Sequence, residues 1–150
     1  MAEWCEIDFE NSLWEIPKNR MKMKRTHLVP LSSQSLQALQ QLKQLTGSYQ
    51  FIFSGRNDVN KPMSEASVNM VLKRIGYDKR ATGHGFRHTM STILHEQSFN
   101  TAWIETQLAH VDKNSIRGTY NHAQYLDGRR EMMQWYGDYI QNCEMRLHKE

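Results

Sequence analysis

The stretch Thr82-Gly83-His84-Gly85-Phe86-Arg87-His88-Thr89 holds the densest set of side chains able to do chemistry. Gly83 and Gly85 are expected to free the backbone just before a helix begins, so that His84 and Arg87, three apart, point the same way from its first turn. The start of a helix favours anions, and an Arg fork adds two directed donors to phosphate oxygens. The pair reads as an oxyanion clamp, although two ordinary surface residues would show the same spacing. A metal site competes for the same histidines, since His84 and His88 are four apart, His95 lies seven further on and His110 is available as another ligand. Arg87 opposes that reading, because a guanidinium between two ligands of a dication is unfavourable. The Glu of an H-E-x-x-H motif is also missing. No metal is expected.

Leu108-Ala109-His110 and Gly118-Thr119-Tyr120-Asn121-His122 follow downstream. Tyrosine is a weak nucleophile at neutral pH: with a pKa of about 10, roughly one part in a thousand is ionised, a deficit of about 4 kcal/mol. Arg, Lys and His around a bound phosphate would lower that pKa and stabilise the charge that builds on a pentacoordinate phosphorus. Taken singly, each of the 6 tyrosines reads equally well as a packing residue or a surface hydroxyl.

These groups are far apart in sequence, so a frame must bring them together. Trp4, Glu6 and Asp8 alternate with Cys5, Ile7 and Phe9; Leu13, Trp14 and Ile16 follow a turn at Asn11-Ser12; His27-Leu28-Val29 ends at Pro30. The pattern predicts three short strands in an antiparallel meander, with residues 18–25 as the exposed connection between the second and third. From Ser33 the period changes. Leu36, Leu39, Leu42 and Leu45 recur every three residues before Gly47, which predicts an amphipathic helix. Ser64 is placed to cap a second helix with the stripe Val68, Val71, Leu72 and Ile75, and Gly76 to end it in a left-handed conformation. Further periodic segments run over 85–97, 102–109, 114–120 and 123–142, the last bearing Leu126, Met133, Tyr136 and Ile140. The expected fold class is α+β: a small N-terminal three-stranded antiparallel sheet followed by a mostly helical body, forming a single domain over residues 1–150.

Composition agrees with this. The 150 residues are 39% hydrophobic with 8 Gly and 3 Pro, which excludes collagen-like and wholly disordered chains. At this length roughly 68–70% of the unfolded surface can be buried, so stability needs no disulfide or structural metal. No apolar run is long enough to cross a bilayer and no signal peptide follows Met1, so a cytoplasmic location is expected. Cys5 and Cys143 are then reduced packing residues. Residues 1–75 carry the whole net charge of +3, and Lys18, Arg20, Lys22, Lys24, Arg25, Lys43 and Arg56 stand between Glu15 and Asp58 with no acid among them. Such a patch suits a polyanion, or is simply a solvated hairpin tip.

In order, four blocks resemble the catalytic domain of the tyrosine recombinase (phage-type integrase) family, in the variants of prophage and genomic-island integrases. They are Trp4-Cys5-Glu6-Ile7-Asp8 with Trp14-Glu15-Ile16-Pro17; Met21-Lys22-Met23-Lys24 leading to His27-Leu28-Val29-Pro30-Leu31-Ser32; His84-Gly85-Phe86-Arg87-His88-Thr89; and Leu108-Ala109-His110 with Tyr120 ten residues on. The likeness spans residues 3–140. It implies that Tyr120 attacks a DNA phosphate to give a 3′-phosphotyrosine, and that Lys22 protonates the leaving 5′-oxygen, with Lys24 as the rival. Arg87 would hold the non-bridging oxygens, His84 would assist proton transfer at the nucleophile, and His110 would donate a further hydrogen bond. Tyr125 is a weaker candidate nucleophile. Arg20, Lys24 and Arg25 would contact DNA. Double-stranded DNA is the implied partner, with no cofactor, membrane or small-molecule substrate, and a bacterial, DNA-associated location.

One departure stands out. The family places a first arginine upstream of the strand that here contains Trp4, and neither Arg20 nor Arg25 matches it; these 150 residues are expected to lack the family's N-terminal DNA-clamping domain as well. Losing one such donor typically costs about 10²–10³ in rate, so these 150 residues are expected to be weakly active or inactive alone. A non-catalytic DNA-binding remnant is the alternative. Ala109 stands where the family usually has Gly. Met132, Met133, Trp135, Tyr136, Tyr139 and Ile140 offer more apolar surface than one stripe needs, which suits either internal packing or a homo-oligomer on DNA.

Overall fold

A computed structural model describes residues 1–21, 24–109 and 125–147. Three strands, β1 (Ile7–Asp8), β2 (Leu13–Ile16) and β3 (His27–Pro30), form an antiparallel sheet in that order. Trp14 pairs with both Ile7 and Val29, and Leu13 with Asp8 and Pro30. Five helices follow: α1 (Ser33–Thr46), α2 (Ala66–Arg74), α3 (Gly83–Glu96), α4 (Thr101–Gln107) and α5 (Leu126–Leu147). The α+β arrangement is the one the pattern predicts.

The first strand is shorter than expected. Trp4–Glu6 is a 3-10 turn in which the Glu6 carboxylate accepts from the Glu3 amide (3.2 Å) and the Trp14 indole (3.0 Å). Those local bonds compete with strand pairing for the same backbone. The Trp4 indole meanwhile donates to the Thr46 carbonyl at the end of α1. At the β1–β2 turn both Asp8 oxygens accept from Asn11 (2.8 and 2.7 Å), and Ser12 takes a left-handed φ of 57°.

Ser32 caps α1 by accepting from the Ser35 amide. Gly76 ends the second helical stretch at φ +89° as its position predicted, a conformation glycine adopts without steric cost. Ser64 does accept a backbone amide, from Ala66, but it stands one residue before the cap position, which Glu65 holds. The core lies between α3, α4 and α5, where Leu94, Ile104, Leu108 and Met132 are buried and Met90, Phe99, Trp103, Met133, Trp135 and Tyr136 pack around them. Much of the surplus apolar surface of α5 is therefore spent internally; Tyr139 and Ile140 stay exposed. The α2 stripe differs from expectation, since Val68, Val71 and Ile75 are exposed and Leu72 alone of the four is half-buried. Cys5 is likewise exposed rather than packed, and both cysteines are free thiols. No described helix is long and apolar enough to cross a membrane.

Candidate active site

Thr82 begins α3. Its hydroxyl accepts from the Gly85 amide at 2.9 Å, and Asn69 of α2 accepts from the Gly83 amide at 2.9 Å, so two of the four amides a helix start leaves unpaired are satisfied. Gly83 and Gly85 are helical residues with ordinary negative φ, not a loosened approach to the helix. At Gly85 a side chain would crowd the capping hydroxyl, since a Cβ there would lie 3.1 Å from Thr82 Oγ1.

From the start of α3 the two predicted clamp residues, one in its first turn and one just past it, go different ways. Arg87 is half-buried, and its Nη2 donates to the Leu108 carbonyl at the end of α4. This joins the third and fourth blocks of the sequence reading across 21 residues. His84 is exposed and meets His88 one turn on, with Nε2 atoms 2.9 Å apart and rings 4.5 Å apart, edge to face. One of those nitrogens must carry the proton and the other accept it. A guanidinium has five N–H donors, so the bond to Leu108 leaves Arg87 able to hold an anion.

On the basic connection, Lys18–Arg20 is a 3-10 turn and Arg20 forms an ion pair with the buried Glu6. Its charge is thus shared with the sheet. Lys24 and Arg25 are exposed, and Lys24 sits in a left-handed turn at φ 51° with its amide on the Met21 carbonyl. Lys22, His110 and Tyr120 lie outside the described residues, as does the segment 114–120. Tyr125, the rival tyrosine, precedes α5 and accepts the Arg129 amide on its carbonyl. Among the described residues no three His, Cys, Asp or Glu side chains gather as metal ligands. A groove of about 500 Å³ between the 54–64 loop and α2 is lined by Met63, Met70, Val71 and Arg74 and includes neither His84 nor Arg87.

Residues 1–126 match the phage integrase family. The chain belongs to that family. It is 48% identical to the integrase of Shigella phage Sf6 over 139 residues, covering 92% of this chain and 36% of that protein. Prophage integrase IntS of Escherichia coli K12 is 48% identical over 138 residues, 91% of this chain and 36% of its own length, and prophage integrase IntA of the same organism 48% over 143 residues, 95% and 35%. This phage-integrase chain thus spans little more than a third of these relatives. No solved structure matches it.

Two residues joined by hydrogen bonds between α4 and α5 escaped the sequence reading. Arg129 is fully buried and Gln107 is its partner. A signal existed: Arg129 stands three after Leu126 and four before Met133, on the apolar face of α5, where a cation is out of place unless hydrogen-bonded.

Proposed function

We propose that this chain is the strand-cleaving and rejoining unit of a site-specific DNA recombinase acting in the bacterial cytoplasm. The phenol oxygen of Tyr120 attacks the scissile phosphorus, the bond to the 5′-oxygen breaks, and a 3′-phosphotyrosine forms. Lys22 delivers the proton that the departing 5′-oxygen needs, and His84 helps remove the phenol proton. Arg87 and His110 donate to the non-bridging oxygens as charge builds on them. The reverse sequence, with a different 5′-hydroxyl, rejoins the strand without an external energy source. The exposed Lys24 and Arg25, with Arg20 behind them on Glu6, contact the DNA backbone. A homo-oligomer on DNA through the end of α5 fits the exposed Tyr139 and Ile140.

The observation that carries this reading is the bond from Arg87 to the Leu108 carbonyl. It ties Arg87 of α3 to a residue two positions before His110 in sequence, which supports bringing both to one phosphate in a chain of this family.

The test is a nicked DNA substrate that traps the covalent intermediate. A low yield of protein–DNA adduct that disappears in Tyr120→Phe supports the proposal. Salt-sensitive DNA binding with no adduct, even at excess protein, would favour the binding remnant instead. Adduct formation abolished by EDTA would point to metal-dependent phosphodiester chemistry.

A further inference from the structure

Arg129 is fully buried, and the reaction proposed above makes no use of it. Its Nε and Nη2 donate to Gln107 Oε1 at 3.0 and 2.7 Å, and Nη2 also reaches the Leu28 carbonyl at 2.7 Å. Both acceptors are uncharged, and burial draws the guanidinium pKa down to about 10, which leaves it a cation at neutral pH. Among the described residues no carboxylate pairs with it; burying a cation without a countercharge is unfavourable, and an apolar side chain would hold α5 against α4 at lower cost. The backbone already permits close contact, since a Cβ at Gly128 would fall 2.4 Å from the Trp103 ring. Packing alone therefore does not call for an arginine here.

The acceptors suggest what does. Leu28 lies on β3, an edge strand, six residues after Lys22. Gln107 ends α4, three residues before His110 and directly before the Leu108 carbonyl that Arg87 holds. Arg129 itself is nine residues after Tyr120. One planar fork thus reaches the strand that follows the Lys22 segment and the helix end that precedes His110, while rooted in the helix that follows Tyr120 in sequence. We infer that Arg129 is a positioning residue, fixing the bases of the Lys22, His110 and Tyr120 segments relative to one another and to Arg87. This rests on the proposed recombinase reading for its catalytic consequence, but not for the tie itself.

Two measurements test it. In hydrogen exchange on the 150-residue chain, Arg129→Lys keeps the charge but cannot span both acceptors. Exchange should speed up about tenfold, the scale of one lost buried hydrogen bond, at residues 26–31 and 105–109. Residues 35–45 of α1 and 88–94 of α3 should be unchanged. Gln107→Ala should affect 105–109 and spare 26–31. Uniform acceleration across the chain, or none, overturns the inference, and this holds whether or not the chain cleaves DNA. In the adduct assay, Arg129→Lys should slow cleavage about tenfold while DNA affinity is preserved. The defect should shrink when the 5′-leaving oxygen is replaced by sulfur, which departs without a proton donor. Equal slowing on both substrates would remove Lys22 from the set that Arg129 positions. Loss of adduct from the unsubstituted chain as well would instead count against the recombinase reading, leaving the exchange pattern to decide the tie.

Discussion

The body formed by α3, α4 and α5 and the segment from Phe51 to Tyr77 carry similar apolar patterns and meet different fates. In the first, Leu94, Ile104 and Met132 are 0% exposed. In the second, Ile52 is buried, but Phe53, Val71 and Ile75 are 51%, 53% and 61% exposed. Local propensity does not separate them, since α2 is as regular and as amphipathic in sequence as α3. The difference is partnership: α3 packs against α4 and α5, whereas most of the α2 stripe faces solvent, with Leu72 half-buried and Val68 beside Gly83 at the start of α3. It is the partnered region that sets Arg87 against Leu108, because the carbonyl it uses belongs to a residue of the core cluster. The packed helices hold Arg87, and the less packed region adjoins them through Asn69 and the Gly83 amide.

The strongest way to break this contrast is to hollow the partnered region. Leu94→Ala should cost about 2–5 kcal/mol, a large part of the roughly 5–15 kcal/mol that holds an ordinary domain together. Urea denaturation of the two proteins measures it. A loss under 1 kcal/mol would mean that the α3–α4–α5 contact is looser than its burial indicates. Gly128→Ala comes next. Alanine favours a helix over glycine by about 1 kcal/mol, but its Cβ would fall 2.4–2.6 Å from three atoms of the Trp103 ring. Overpacking of that kind typically costs about 1–3 kcal/mol, so the net effect should be destabilising. In a Trp103→Leu background the obstruction is gone, and Gly128→Ala should become neutral or stabilising. A stabilising effect in the unsubstituted background would show that the ring moves aside freely.

The same contrast marks what could be read without coordinates. Period and capping chemistry placed the sheet, α1 and the second helix's left-handed end, because Ser32 and Gly76 act on their immediate neighbours. The 3-10 turn at Trp4–Glu6 was not legible, since it depends on Glu6 meeting the Trp14 indole, a contact the alternating pattern does not encode. Motif order singled out His84 and Arg87, and α3 carries both near its start, Arg87 just past the first turn. Their divergence, one to His88 and the other to Leu108, follows from where α4 packs. Arg129 was the hardest to see for the same reason: a residue whose partners are 101 and 22 positions away leaves only one local trace, a cation on an apolar stripe. The roles of Lys22, His110 and Tyr120 rest on the motif alone, as they lie outside the described residues.

The smallest expected effect sharpens the contrast from its other side. If most of the α2 stripe faces solvent, replacing its apolar groups removes little buried surface, because the side chains are already largely in water. Val71→Ser should then change stability by no more than about 0.5 kcal/mol, the range of ordinary surface substitutions. Serine and valine have similar helix propensities, so little of that change comes from the backbone. Ile75 follows the last residue of α2, and Ile75→Ser should be smaller still in its packing term, being the more exposed of the two. Thermal denaturation of both variants beside Leu94→Ala places all three on one scale. A cost above 1 kcal/mol for Val71→Ser would show that this face is covered in solution and that the two regions differ less than their exposure suggests.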